Sequence, residues 1–185
     1  MRWSELFDDL EAQLAAQEVA ERRGEVAEHT RASLGRVSLA ERLLADREAH
    51  VRVSLRGALV LQGVLVEVAS EWLLLQDERP RAGEVLVVTT SLLSVQGLTG
   101  RSDRGRSHRV ERSLDLRQAL RALSRDRAVV RIRDLEGGVT LGTIDRVGAD
   151  HLDVSTHPDD LPRRSRDVHA VVTVPYPALV CVMRV

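Results

Sequence analysis

Arginine is the residue type with the most chemistry to offer. All 27 basic residues of the 185-residue chain are Arg, and five of them, Arg101, Arg104, Arg106, Arg109 and Arg112, fall between positions 101 and 112 with Ser102, Ser107 and His108 among them. A guanidinium binds phosphate oxygens through a rigid fork of donors, and a run of them can track a nucleic-acid backbone by displacing its counterions. RNA is therefore one expected partner. The competing reading is a solvated linker, because Asp103 and Glu111 dilute the charge and no aromatic residue stands nearby to stack on bases. Arg163, Arg164 and Arg166 form a weaker patch, flanked by Asp159, Asp160 and Asp167.

Histidines and acids gather in Asp150-His151-Leu152-Asp153 and in His157-Pro158-Asp159-Asp160. A strand would set His151 and Asp153 on one face, yet the spacing matches no closed zinc site. No metal and no cofactor are expected. Cys181, the single cysteine, excludes an intrachain disulfide and a CxxC site. It lies in the apolar run Val180-Cys181-Val182-Met183, the setting of a buried, inert thiol. There is no nucleophile elbow, phosphate loop or HExxH motif, so catalysis and a small-molecule substrate are not expected.

A second kind of surface is expected near the start of the chain. Trp3, Phe7, Leu10 and Leu14 fall at helical spacing, and Trp3 and Phe7 lie one turn apart, a pair suited to anchoring a protein partner or a second copy. Residues 1–49 read as a helical arm interrupted at Gly24 and Gly35, with Ser38 and Glu41 forming the capping pattern that restarts a helix through Leu39, Leu43 and Leu44. Residues 1–50 hold 7 Arg against 11 acids, a charge of -4 that suits protein contact better than nucleic acid. Residues 99–128 hold 9 Arg against 4 acids, or +5, so positive charge is concentrated there although the whole chain is -1.

Composition bounds the rest. With 43% hydrophobic and 30% charged residues the chain reads as an ordinary globular protein. No run approaches the ~20 apolar residues of a membrane span, and the first residues lack the apolar core of a secretory signal, so a cytoplasmic location without membrane contact is expected. The absence of Lys and Asn, with Ile132 and Ile144 the two isoleucines, points to a GC-rich bacterial genome. The arginine bias is then largely a codon effect.

From Val51 the period changes to two: Val51, Val53 and Leu55 alternate with Arg52, Ser54 and Arg56. Short apolar runs follow at 59–68, 72–75, 85–88 and 92–98, five strands in all. Residues 113–127 read as an amphipathic helix with Leu114, Leu116, Leu120 and Leu123 on its apolar face. The segment after it repeats the first. With Gly63 laid on Gly142, Val51 and Val53 fall on Val130 and Ile132, Leu65 on Ile144, Val68 on Val147, Leu73 on Leu152 and Leu75 on Val154. Further on, Leu86 and Val88 match Val172 and Val174, and Leu93 and Val95 match Leu179 and Cys181, an internal duplication. Trp72 is expected in the core or at a strand edge, and Tyr176, between Pro175 and Pro177, at a fixed bend.

The pattern Val51-x-Val53-x-Leu55-x-Gly57, then Gly63-Val64-Leu65, Trp72-Leu73-Leu74-Leu75 and Val95-Gln96-Gly97-Leu98 resembles the Sm-like fold, a strongly bent five-stranded barrel within the wider SH3-like class. The second copy, from Val130-x-Ile132 to Met183, resembles a more degenerate version. The resemblance implies an RNA-binding role, since Sm-like proteins are typically ring-forming RNA binders. Their base-binding Asn and Arg-Gly pair are replaced here by Glu71-Trp72 and Gln96-Gly97 in the first copy, and by Asp150-His151 and Cys181-Val182 in the second. The usual uridine pocket is not carried over.

The expectation is a mainly β, non-enzymatic binding protein of high-GC bacteria. A helical arm (1–49) precedes a first small β-barrel (50–98), an Arg-rich linker with a short helix (99–128) and a second small β-barrel (129–185). It binds RNA through the linker or, in the alternative, a protein or a second copy of itself through the acidic arm.

Overall fold

The structure, a computed structural model, describes residues 35–79, 83–102, 114–156 and 170–185. Trp3, Phe7, Leu10 and Leu14 of the arm, Arg104, Arg106, Arg109 and Arg112 of the linker, Arg163, Arg164 and Arg166, and His157 to Asp160 lie outside these residues. Leu39–Val185 forms one compact unit. Its elements are α1 (Leu39–Ala45), β1 (His50–Leu55), β2 (Leu59–Val68), β3 (Trp72–Asp77), β4 (Glu84–Val88), β5 (Leu92–Gln96), α2 (Leu116–Arg125), β6 (Val129–Asp134), β7 (Val139–Val147), β8 (His151–Thr156), β9 (Ala170–Pro175) and β10 (Leu179–Arg184). Among the described residues no helix is long and apolar enough to cross a membrane.

The ten strands make one open antiparallel sheet in the order β5-β1-β2-β3-β4-β10-β6-β7-β8-β9. The order is the same five-strand sequence written twice. β5-β1-β2-β3-β4 is followed by β10-β6-β7-β8-β9, in which each strand holds the place of its counterpart. A one-turn 3-10 segment precedes the fifth strand of each half, Thr89–Ser91 and Tyr176–Ala178. Irregularities repeat as well. The β2–β3 register shifts between Leu65 and Glu67, and the β7–β8 register between Ile144 and Arg146. Even the joint between helix and first strand recurs, since Glu48 and Arg127 both hold left-handed backbone, at φ 66° and 52°. Each half is thus a helix plus five strands, and α2 is the counterpart of α1.

Gly63 and Gly142 show why the glycine recurs. A Cβ at Gly63 would run into the Gln76 carbonyl, and one at Gly142 into the Ser155 carbonyl. The second strand of each half passes so close to the third that no side chain fits between them, just before the shift in register at which it bends.

Alternation explains β1. β1 buries Val51, Val53 and Leu55 and turns His50, Arg52 and Ser54 outward. The burial patterns of β4 and β10 differ, because these strands are covered on both faces. They pair with each other, Cys181 opposite Val87, Val182 opposite Leu86 and Met183 opposite Val85, and this seam joins the halves. Val85 and Val87 enter a first core with Leu65, Leu73 and Leu75, and Leu86 and Val88 enter a second with Ile132, Ile144 and Leu152. β10 crosses over in the same way, with Val180 and Cys181 in the first core and Leu179 and Val182 in the second. Buried Ser91 ties the seam further, its Oγ lying 2.7 Å from the Val88 carbonyl oxygen and 3.1 Å from that of Val180.

The pairing confirms the repeat up to the third strand and corrects it afterwards. Leu73 stands opposite Val87 and Leu152 opposite Val174, so Val87 corresponds to Val174, not to Thr173 as matching Leu86 with Val172 requires. Ser94 lies opposite Ser54 and Cys181 opposite Arg133, so Ser94, not Val95, is the counterpart of Cys181. The cause is physical. A strand covered on both faces is apolar at every position, so its sequence carries no phase, and a slip of one residue exchanges its faces unseen.

Candidate functional site

Helix α2 begins at an N-cap, Asp115, whose carboxylate accepts from the Gln118 backbone N–H at 2.6 Å. The Gln118 side-chain oxygen accepts in return from the Asp115 N–H at 3.2 Å, closing a capping box. Both halves of the molecule hold this helix. From the first half, Glu71 accepts the Leu116 N–H at 2.9 Å, and the Trp72 indole donates to the Leu114 carbonyl at 3.2 Å. Toward the second half, Leu116 and Leu120 are buried in the second core, and the Ser124 hydroxyl donates to the Ile144 carbonyl at 3.0 Å.

With Leu116, Leu120 and Leu123 turned to the second core, the opposite face carries Arg117, Arg121 and Arg125. Their spacing of four residues sets them in one stripe, successive groups rising about 6 Å along the axis at ~1.5 Å per residue. Two concavities flank the stripe. A cleft of about 730 Å³ lies on the seam side, with Arg56, Arg117, Thr89, Thr90 and Tyr176 on its walls. A shallower one of about 490 Å³ is lined by Arg121, Arg125 and Arg146 together with Asp145, whose carboxylate pairs with Arg127. Tyr176 is held by its hydroxyl, which donates to the Gly148 carbonyl at 2.9 Å, and burial pushes its phenol above the usual value against the opposing charges of Arg117 and Arg121.

The pairing of these arginines sets them apart. Arg47 pairs with Glu67 at 3.0 Å, Arg79 with Asp77, Arg127 with Asp145 at 3.3 Å and Arg184 with Asp126 at 3.6 Å. In the stripe, Arg117 has only a long contact of 3.7 Å to Asp115, while Arg121, Arg125 and Arg146 pair with no acid among the described residues. The two acids nearest the helix start are engaged by backbone N–H groups. The stripe is peculiar to the second helix, since the equivalent positions before β1 are Ser38, Arg42 and Asp46.

Of the linker residues expected to bind nucleic acid, Arg101 is described, and it is exposed. The stripe itself was written in the sequence as arginines four apart. Which way it faces was not, because that depends on Glu71 and Trp72, far back in the chain. The other sequence candidates resolve locally. Trp72 is buried, as expected of a core or strand-edge residue. The His151 ring lies 2.7 Å from the Asp150 carboxylate, and Asp153 accepts from the Thr173 hydroxyl at 2.7 Å. Among the described residues no group of three or more His, Cys, Asp or Glu side chains could hold a metal ion. Cys181 is buried in the seam, and desolvation pushes its thiol up to about 12 against the pull of Arg133 and Arg79.

No protein-family profile, curated protein or solved structure matches the chain.

Proposed function

We propose that the protein is a non-enzymatic binding module that takes single-stranded RNA along the arginine stripe of α2, on a scaffold of two small Sm-like barrels derived by duplication. The observation that carries this reading is that Arg117, Arg121 and Arg125 form one stripe with Arg146 beside it, largely free of acid partners among the described residues. Arginines already matched to carboxylates have little to gain from phosphate, whereas these gain bidentate hydrogen bonds and release of condensed counterions. The linker arginines Arg101, Arg104, Arg106, Arg109 and Arg112 precede this helix in the chain and extend the basic segment. Tyr176 supplies an aromatic ring in the adjoining cleft, beside Arg117. The repeated strand order, the recurring bulge and the separate cores support the barrel reading.

The test is binding of a fluorescein-labelled mixed-sequence 20-nucleotide single-stranded RNA, followed by anisotropy across a salt series. Replacing Arg117, Arg121 and Arg125 by Ser lowers the slope of log K against log salt by about 2, at ~0.7 per phosphate contact on a single strand. Unchanged affinity and slope in this variant, or in one that also replaces the five linker arginines, overturn the proposal.

A further inference from the structure

The arginine stripe ends in a cluster that contact with a phosphate backbone leaves unexplained. Toward the C-terminal end of α2, Arg121 and Arg125 share the concavity of about 490 Å³ with Arg146 of β7. All three are exposed, and none pairs with an acid among the described residues. Asp145, the acid on the wall, is already engaged. One of its carboxylate oxygens faces Arg127 at 3.3 Å, and the other accepts from the Ser155 hydroxyl.

The two walls are fixed to one another. Ser124 lies between Arg121 and Arg125 on the helix, and its hydroxyl donates to the Ile144 carbonyl at 3.0 Å. The register of β7 shifts between Ile144 and Arg146. A bulge of this kind re-aims a side chain, so helix and strand are tied at the place where both present arginine. The repeated scaffold does not supply the cluster. With Gly63 laid on Gly142, Arg121, Arg125 and Arg146 correspond to Arg42, Asp46 and Glu67. Asp46 is buried and accepts from the Thr99 N–H and hydroxyl, and Glu67 pairs with Arg47. A basic last turn suits the helix macrodipole, which accounts for Arg125 but not for Arg146 on a strand.

An internal phosphodiester offers a single charge and a pair of free oxygens. A phosphate monoester at a chain end offers up to two charges and three free oxygens, which suits several guanidinium forks brought together from two elements. We infer that this concavity holds the terminal phosphate of an RNA chain, at its 5′ or 3′ end, between Arg121, Arg125 and Arg146. The strand then runs from that end along the stripe toward Arg117. This inference rests on the RNA reading of the stripe and adds that the RNA is held by an end.

The experiment uses the full chain with the fluorescein-labelled RNA bound. Short unlabelled RNAs of one sequence compete for it, carrying a 5′ phosphate, a 3′ phosphate or hydroxyls at both ends. A phosphorylated competitor should displace the label at a roughly tenfold lower concentration than the hydroxyl form, the gain from one further charged hydrogen-bonding contact. The competitor that shows the gain identifies the end. In Arg146→Gln and in Arg125→Gln the advantage disappears, whereas Arg117→Gln, at the other end of the stripe, weakens all the competitors and keeps it. Equal displacement by all of them, with the labelled RNA still bound, overturns this inference and leaves the RNA reading standing. An advantage that survives both Arg146→Gln and Arg125→Gln overturns it as well, because the phosphate is then held elsewhere. Failure of the labelled RNA to bind at all overturns both.

Discussion

β4 and β9 hold the same place in the two halves, fourth in a five-strand order, yet their fates diverge. β4 buries every residue after Glu84, whereas β9 buries Val174 and leaves Ala170, Val171, Thr173 and Pro175 exposed. The difference is not in strand propensity, since both are rich in valine. It comes from the neighbour: β4 has β10 alongside, and each of these strands feeds two cores. β9 has one core beneath it and an open edge. Equivalent positions in a repeated strand order therefore differ in stability role according to what lies across the next strand.

Two substitutions test that contrast. Cys181→Asp puts a carboxylate into the seam with no partner, at a cost of several kcal/mol that leaves the chain unfolded. Ser94→Asp, at the equivalent edge position, keeps the native far-UV circular dichroism. Folded protein from Cys181→Asp with an unchanged melting temperature would break the contrast between seam and edge.

Next in size are Leu65→Ala and Ile144→Ala, equivalent and fully buried positions in the two cores. Each should cost about 2–5 kcal/mol. Because β4 and β10 contribute to both cores, each variant should lower one shared transition in urea. Two separate transitions would show that the seam does not couple the halves.

The smallest effect separates the halves by pH. Asp77 stands where the second half has Thr156. Burial pushes its carboxyl up, but hydrogen bonds and charge from Arg79 outweigh this and hold it below the usual carboxylate value. A lowered folded value stabilises fully above the unfolded value and is lost as pH falls through the folded one. Wild type should therefore lose more of its urea midpoint between pH 5 and pH 3 than Asp77→Asn does. Arg79 is largely exposed, so the difference is small. Equal losses would mean that the pair contributes nothing to the first half.

What could be read from the sequence follows from phase. Val51-x-Val53-x-Leu55 buries one face, so its alternation reported both the strand and its inward side. Leu116, Leu120 and Leu123 did the same for α2 at helical spacing, placing its structure within the expected 113–127. The fourth and fifth strands slipped because continuous apolar runs have no inward side to report. Their pairing is also remote: Val87 meets Cys181 across nearly the whole second half. The arginine stripe was legible as a spacing and illegible as a surface, since its outward face is set by Glu71, Trp72 and Ile144 together. Arginine is denser between Arg101 and Arg112 than on the helix, so charge by itself marks the residues before the helix. Tyr176 read correctly as a bend, and the packing of both α2 and Tyr176 on the second core sets it beside Arg117.

The place of β10 in the sheet also governs the order in which the protein can be built. β10 is translated after the other nine strands, yet it lies in the middle of the finished sheet, between β4 and β6. Val180 and Cys181 belong to the first core, so the half synthesised first lacks part of its own interior until the last of these strands emerges. During synthesis β4 waits as a bare apolar edge, the kind of surface that recruits chaperones or mispairs with a neighbouring nascent chain. Closing contacts so distant in sequence also makes for slow folding. Loss of β10 by premature termination would open both cores at once, leaving no intact half behind.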